Sequence, residues 1–150
     1  YGFFEKKINE KNEKIQFSKE NNNSSYINNY YRKNLESMIF LSNIYKFNLS
    51  IFLQPLFGVN EELQTNYEHL KINSDTLFLR KEFYDKARIM FKELSKKYGN
   101  DNNVCIKDLS LNTFENINFR VYEDSGHLLG KGNEIVAKRM SNFLKDCNFF

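Results

Sequence analysis

The sequence predicts an α/β fold in which a parallel β-sheet is covered by helices. Two short stretches, residues 49–53 and 104–106, contain strand-forming residues and no charge, as strands covered on both faces do. Stretches with apolar residues at helical spacing alternate with them. This alternation is typical of βαβ units, in which each helix packs back onto a parallel sheet.

The first half of the chain predicts a loop, a helix and a strand after a charged beginning. Residues 1–16 are compatible with a helix, and residues 18–29 are rich in asparagine and serine, which favours a loop. From about residue 30 to 47 a helical spacing follows. The residues that recur at this spacing are Leu35, Met38, Ile39, Ser42 and Tyr45. The strand at 49–53 comes next, and Gln54-Pro55 ends it because proline has no N–H for the sheet.

The second half predicts two further helices around the second strand. A polar connection, residues 56–75, leads to a helix for which Ser74 is the expected N-cap and Gly99-Asn100 the expected C-terminal stop. The apolar face of this helix consists of Phe83, Ala87, Met90, Leu94 and Tyr98. After the second strand, a loop from 108 to 120 precedes the last helix. The stripe of that helix consists of Val136, Met140, Phe143, Leu144 and Cys147.

Composition excludes several classes of protein. A length of 150 residues fits one compact domain or a piece of a larger one, and a hydrophobic fraction of 41% predicts a folded chain. The net charge of +3 is spread over separate doublets such as Lys6-Lys7 and Lys96-Lys97, so no nucleic-acid partner is predicted. No apolar run approaches the roughly 18 to 20 residues that cross a bilayer, so no transmembrane segment is expected.

The cysteines and histidines do not predict a metal site. Cys105, Cys147, His69 and His127 stand at scattered positions that match no zinc-binding spacing, so no metal or other cofactor is predicted. Both cysteines lie among apolar residues, which are the usual surroundings of buried free thiols. A disulfide between them stays open at this stage, although nothing in the sequence favours it.

Asp124 and His127 are the strongest candidates for chemistry. A histidine titrates near neutrality, with an ordinary pKa of about 6.5, and therefore suits proton transfer. A carboxylate on its second ring nitrogen fixes the tautomer and stabilises the imidazolium that forms. Gly126 lies between the two residues and is expected to allow a tight turn. The spacing alone also fits an ordinary surface pair, but the position after the last strand predicts the carboxyl edge of the sheet, where ligands bind in open α/β folds.

The block that follows resembles the SGNH (GDSL-type) serine hydrolases. In that family the last motif is Asp-x-x-His, then a short link, then Gly-Asn or Gly-His opening a helix with an alanine soon after. Here the chain reads D-S-G-H at 124–127 and G-N-E-I-V-A at 132–137, and I-F-L-Q-P at 51–55 looks like the penultimate core strand of some bacterial members. The resemblance covers roughly residues 35–144.

The resemblance implies both a fold and an activity. The fold would be flavodoxin-like, a three-layer α/β/α arrangement with a parallel sheet, of which residues 1–150 form a single partial domain. His127 is implied as the general base that takes the proton of a serine hydroxyl, and Asp124 as its orienting carboxylate. The implied substrates are carboxylic esters of small molecules, lipids or acylated carbohydrates.

The chain departs from the family in its missing nucleophile. The Gly-Asp-Ser block, the oxyanion-stabilising glycine and the Gly-x-Asn-Asp block are absent. Gly99-Asn100-Asp101 imitates the last of these, but it is interpreted as the end of a helix. Ser125 lies too close in sequence to His127 to act as the nucleophile. Leu129 stands where many members have a capping serine or threonine, so Gly130 or Asn133 is expected to mark the start of the last helix.

Three interpretations follow from this mixture of likeness and absence. In the first, the chain is the C-terminal part of an SGNH esterase that works through an acyl-enzyme, and it is inactive alone because it supplies only the base and its orienter. In the second, the chain is a non-catalytic α/β binding module that has lost the nucleophile block. In the third, a separate polypeptide supplies the nucleophile.

Overall fold

Three helices and two strands make up the described part of the chain. A computed structural model describes residues 30–59, 70, 72–147 and 149. In chain order the elements are α1 (Arg32–Tyr45), β1 (Leu49–Leu53), α2 (Ser74–Tyr98), β2 (Val104–Asp108) and α3 (Gly130–Asp146). This order confirms the predicted succession of elements over these residues. The predictions for residues 1–29, and for most of the connection between β1 and α2, lie outside the described residues.

The two strands form a parallel sheet. They pair in register from Leu49 opposite Val104 to Leu53 opposite Asp108, and α2 connects them. The α/β class and the parallel pairing are therefore shown, at the size of a small domain. Among the helices that the structure describes, none has the length and apolarity that a membrane span requires.

The main hydrophobic core lies between one face of the sheet and helices α1 and α2. Alternate residues of each strand point to this face, because side chains alternate along a strand. The buried side chains of the core are Leu35, Ile39, Leu49, Ile51, Leu53, Val59, Tyr84, Ala87, Met90, Phe91, Leu94, Val104 and Ile106. The uncharged composition of β1 and of residues 104–106 is thus explained by their burial, whereas Lys107 and Asp108 at the end of β2 are only partly buried.

Helix α1 contacts the core through a narrower stripe than the spacing predicted. Leu35, Ile39 and Ser42 are buried, as one residue per turn on a single helix face. Met38 and Tyr45, which were predicted on the same face, are 45% and 72% exposed, so the prediction was wrong for these two side chains. Their positions turn them to the flank of the helix, away from the sheet.

Helix α2 begins and ends differently from the prediction. Its N-cap is Asn73 rather than Ser74, and the Asn73 side chain accepts a hydrogen bond from the Asp75 N–H at 2.8 Å. At the other end Gly99 has a φ of −68°, so the helix does not end in the left-handed conformation that a C′ glycine usually supplies. The predicted core face is confirmed at Ala87, Met90 and Leu94.

A disulfide bond between Cys105 and Cys147 joins β2 to the end of α3, and the expectation of free thiols was wrong. Cys105 points to the face of β2 opposite the main core, because its neighbours Val104 and Ile106 point into that core. On that face α3 ends beside β2, and the two Cα atoms are 5.8 Å apart. This separation lies within the usual range for disulfide-bonded cysteines.

Helix α3 covers the second face of β2 only in part. The Lys107 ammonium lies over the Phe143 ring, 5.5 Å from its centroid. The predicted stripe of Val136, Met140, Phe143 and Leu144 is only half-buried, and the one fully buried residue of the helix is Gly132. The disulfide therefore attaches α3 to β2, where the apolar packing between these two elements is weak.

Candidate active site

Asp124 and His127 lie at the tip of a short hairpin that leads directly into α3. Tyr122 and Leu128 form an antiparallel bridge, and the Leu129 N–H donates to the Val121 carbonyl at 2.8 Å. The Glu123 N–H donates to the His127 carbonyl at 2.9 Å, which closes the turn. The predicted tight turn is present.

The base of the hairpin is buried in a second hydrophobic cluster. The Tyr122 ring meets Phe57 and Phe114 edge-on, with ring centroids 5.6 and 5.4 Å apart. Phe57 follows the carboxyl end of β1, and Phe114 follows the carboxyl end of β2. The hairpin therefore lies at the carboxyl edge of the parallel sheet, the edge at which ligands bind in open α/β folds.

The Asp124 carboxylate is held by three donors from its own turn. Its Oδ1 accepts the backbone N–H groups of Gly126 at 2.7 Å and His127 at 2.8 Å, and its Oδ2 lies 2.7 Å from the His127 Nδ1. The Gly126 N–H, followed by the imidazole, lowers the pKa of Asp124 from its ordinary 3.8 to about 2. The carboxylate is consequently ionised at neutral pH and is fixed as an acceptor.

The same contact sets the tautomer and basicity of His127. Because the carboxylate accepts, the neutral imidazole carries its proton on Nδ1 and keeps a lone pair on Nε2. The hydrogen bond with Asp124 raises the pKa of His127 above its ordinary 6.5. The imidazole is 79% exposed, so a molecule arriving from solvent can reach it. No serine or threonine hydroxyl of the described residues is hydrogen-bonded to it.

Arg80 of α2 belongs to the site, although no pattern in the sequence predicted it. Its Nη1 donates to the Ser125 carbonyl at 2.5 Å and to the Phe57 carbonyl at 3.4 Å, and its Nη2 lies 3.4 Å from the Ser125 hydroxyl. The Ser125 hydroxyl thus lies beside the guanidinium. A lone arginine on a long polar helix face carries no motif from which these contacts could be predicted.

The two glycines of the motif have different roles. A Cβ added at Gly132 would lie 2.5 Å from the Val121 carbonyl oxygen, so glycine is required for α3 to approach the hairpin. At Gly126 the nearest atom to an added Cβ is the Asp124 Oδ1 at 3.7 Å, and the backbone is not left-handed. The turn is held by the Gly126 N–H, which donates to Asp124 Oδ1, so nothing in the structure requires the residue at this position to be glycine.

The start of α3 matches one of the two predicted positions. The helix begins at Gly130 after Leu129, which forms no side-chain cap, and the Asn133 N–H donates to the Leu129 carbonyl at 2.9 Å. Gly99-Asn100-Asp101 lies just after α2, as interpreted from the sequence.

No group of three or more histidine, cysteine, aspartate and glutamate side chains in the described ranges could hold a metal ion. Comparisons with protein-family models, with curated proteins and with solved structures find no match to this chain. The geometry of the hairpin, together with the sequence motif, therefore provides the basis for a functional conclusion.

Proposed function

We propose that this chain supplies the general base and its orienting carboxylate to a serine esterase of SGNH type. The observation that carries the proposal is the 2.7 Å contact between the His127 Nδ1 and the Asp124 Oδ2, in a turn that leaves the imidazole exposed. An oriented imidazole with a raised pKa at the carboxyl edge of a parallel sheet is suited to proton transfer during acyl transfer.

The chemistry assigns each residue one task. The Nε2 of His127 takes the proton of a serine hydroxyl while the hydroxyl oxygen attacks the ester carbonyl carbon. The resulting imidazolium is stabilised by the Asp124 carboxylate and then gives its proton to the leaving alkoxide. Water hydrolyses the acyl-enzyme by the same route. Substrates would be carboxylic esters of small molecules, lipids or acylated carbohydrates.

The serine and the oxyanion donors would come from outside the motifs of this chain. The sequence contains no Gly-Asp-Ser block, and Ser125 is turned towards Arg80. We therefore infer that residues 1–150 act as part of a larger catalytic unit, with the missing groups on another segment or on a partner polypeptide. Alone, the chain would bring a base and its orienter, and no hydroxyl of the described residues is hydrogen-bonded to that base.

The arrangement of β1 supports a larger, flavodoxin-like sheet. The Leu49 N–H and the Leu53 carbonyl form hydrogen bonds on the side of β1 that faces β2. Because successive residues of a strand alternate in direction, the N–H and carbonyl groups of Ser50 and Phe52 point to the opposite edge of β1. Parallel sheets normally have both faces covered and contain more than two strands. Helices α1 and α2 on one face and α3 on the other fit the layers of a three-layer α/β/α domain.

The test compares the complete gene product with two histidine variants. Hydrolysis of 4-nitrophenyl acetate is measured for the unchanged protein, for His127→Ala and for His69→Ala, which removes the other histidine of residues 1–150 as a matched control. Loss of the base should reduce kcat by about 10²- to 10⁴-fold, and the control should keep its rate. Equal rates in all three proteins would remove His127 from the mechanism.

A second measurement looks for the missing serine. A fluorophosphonate, which reacts with activated serines, should label the complete gene product and should label His127→Ala much more slowly. Mass spectrometry of the labelled peptide then identifies the nucleophile. If no serine is labelled and no ester is cleaved, the alternative of a non-catalytic α/β binding module is favoured.

A further inference from the structure

The guanidinium of Arg80 joins two segments that are distant in sequence. It is half-buried in the second turn of α2 and donates to the Ser125 carbonyl at the hairpin tip and to the Phe57 carbonyl after β1. Its second terminal nitrogen lies 3.4 Å from the Ser125 hydroxyl. One side chain thereby connects α2, the loop after β1 and the turn that contains His127.

The hydrogen bonds within the turn do not fix the position of the turn relative to the sheet. The hydrogen-bond partners of Asp124 among the described residues lie in its own turn, so these contacts fix the imidazole of His127 relative to the turn and not relative to the sheet. At the base of the hairpin, Tyr122 packs against Phe57. The tip is connected to the sheet edge through Arg80. Without that connection the tip could pivot about its base while the hydrogen bonds inside it stayed intact.

We propose that Arg80 is a positioning residue that sets the place of His127 at the carboxyl edge of the sheet. The proposal rests on the proposed esterase function and deepens it. The acceptors of Arg80 are two carbonyls and a hydroxyl, so its role is to span fixed distances rather than to neutralise a carboxylate. A planar guanidinium offers five N–H donors in a rigid fork and can serve these acceptors at once, which a lysine ammonium cannot do with the same geometry.

The experiment uses Arg80→Gln and Arg80→Lys in the complete gene product, well below the melting temperature. Arg139→Gln is the matched control, because Arg139 also donates to a loop carbonyl, that of Asn112, but lies on α3. A base displaced by about 1 Å costs about 10²-fold in rate. We expect kcat to fall by about 10- to 100-fold in Arg80→Gln, with KM little changed, and to recover in part in Arg80→Lys. The control should keep the kcat of the unchanged protein.

Two further readouts separate positioning from a loss of folding. The pKa of His127, followed by NMR, should stay the same in Arg80→Gln because its hydrogen bond to Asp124 lies within the turn. Amide hydrogen exchange over residues 123–129 should become faster in Arg80→Gln and stay unchanged in Arg139→Gln. If Arg80→Gln does not fold, the same measurements on Arg80→Lys decide the question.

The possible failures are distinguishable. If His127→Ala loses hydrolysis but both Arg80 variants keep it, Arg80 is not a positioning residue and the esterase function stands. If the unchanged protein shows no hydrolysis that depends on His127, the esterase function fails. In that case unchanged exchange at residues 123–129 in Arg80→Gln would also show that Arg80 does not hold the turn.

Discussion

Gly132 and Val121 approach so closely that a Cβ added to the glycine would lie 2.5 Å from the carbonyl oxygen of the valine. The obstacle is backbone and cannot move aside cheaply. Overpacking of this kind costs about 1–3 kcal/mol, and the gain of up to about 1 kcal/mol from replacing a helical glycine by alanine offsets only part of it. Gly132→Ala should therefore lower the free energy of unfolding by about 1–2 kcal/mol in urea denaturation.

Gly130→Ala is the control for that measurement. It lies at the start of the same helix, and an added Cβ there meets no atom within 4 Å. It should leave the free energy of unfolding unchanged or raise it slightly. Equal losses in the two variants would show that the contact with Val121 does not decide the result.

The Asp124–His127 contact predicts a specific NMR titration. The pKa of His127 should lie above its ordinary 6.5, and Asp124→Asn should bring it back towards that value, because the variant removes the carboxylate. His69→Ala assigns the two histidine signals. A His127 pKa that does not respond to Asp124→Asn would contradict the hydrogen bond.

The same pair predicts how stability depends on pH. The folded-state pKa of His127 is raised, so its contribution is fully present below pH 6.5 and is lost as the pH rises through the raised value. The pKa of Asp124 is lowered to about 2, so its contribution is present above its ordinary 3.8 and is lost as the pH falls towards about 2. The difference in unfolding free energy between the unchanged protein and Asp124→Asn should be greatest between these limits, at about pH 4 to 6.5.

If His127 is the general base, the rate of ester hydrolysis should follow its neutral form. The value of kcat/KM should rise with pH through a pKa above 6.5, since only the neutral imidazole accepts a proton. In Asp124→Asn the rise should shift to lower pH while the maximum rate falls, because the imidazole loses its orienting partner. A pH–rate profile without this rise would assign proton transfer to another group.

The disulfide predicts sensitivity to reductants. Reduction of Cys105–Cys147 should lower the free energy of unfolding by about 2–4 kcal/mol, the usual effect of removing a native cross-link. Urea denaturation with and without dithiothreitol measures the difference. A variant with both cysteines replaced by serine should be less stable than the oxidised protein and indifferent to the reductant. Two thiols that react with a chromogenic disulfide in the unreduced, denatured protein would contradict the bond.

The cap of α2 can be tested by two adjacent substitutions. Asn73→Ala removes the side chain that accepts the Asp75 N–H and should cost about 0.5–2 kcal/mol of stability. Ser74→Ala lies within the helix and should change stability by less. If Ser74→Ala loses more stability than Asn73→Ala in thermal or urea denaturation, Ser74 would be the N-cap instead.

The sequence predicted the features that depend on neighbouring residues. Helical spacing located α1 and α2, the uncharged stretches located β1 and β2, and the Asp124-x-x-His127 motif located a hydrogen-bonded pair. Each of these features depends on residues that lie close together in the sequence. The choice between Asn73 and Ser74 failed because both residues can cap a helix and only the backbone decides which one does.

The features that the sequence missed depend on contacts between distant segments. The acceptors of Arg80 lie 23 and 45 residues away along the chain, so no local pattern marks this side chain. The bond between Cys105 and Cys147 spans 42 residues and depends on where α3 packs against β2. An apolar neighbourhood is shared by buried thiols and buried disulfides, and so it could not distinguish the two.

The bond between Cys105 and Cys147 also has a topological consequence. It closes a covalent ring that contains the hairpin with His127 and the whole of α3. A protease that cuts the backbone once between residues 109 and 120 would open this ring without dividing the molecule. The nicked protein would keep its mass, apart from one added water, until a reductant released the C-terminal piece. Electrophoresis would then show one full-length band without reductant and two shorter fragments with it.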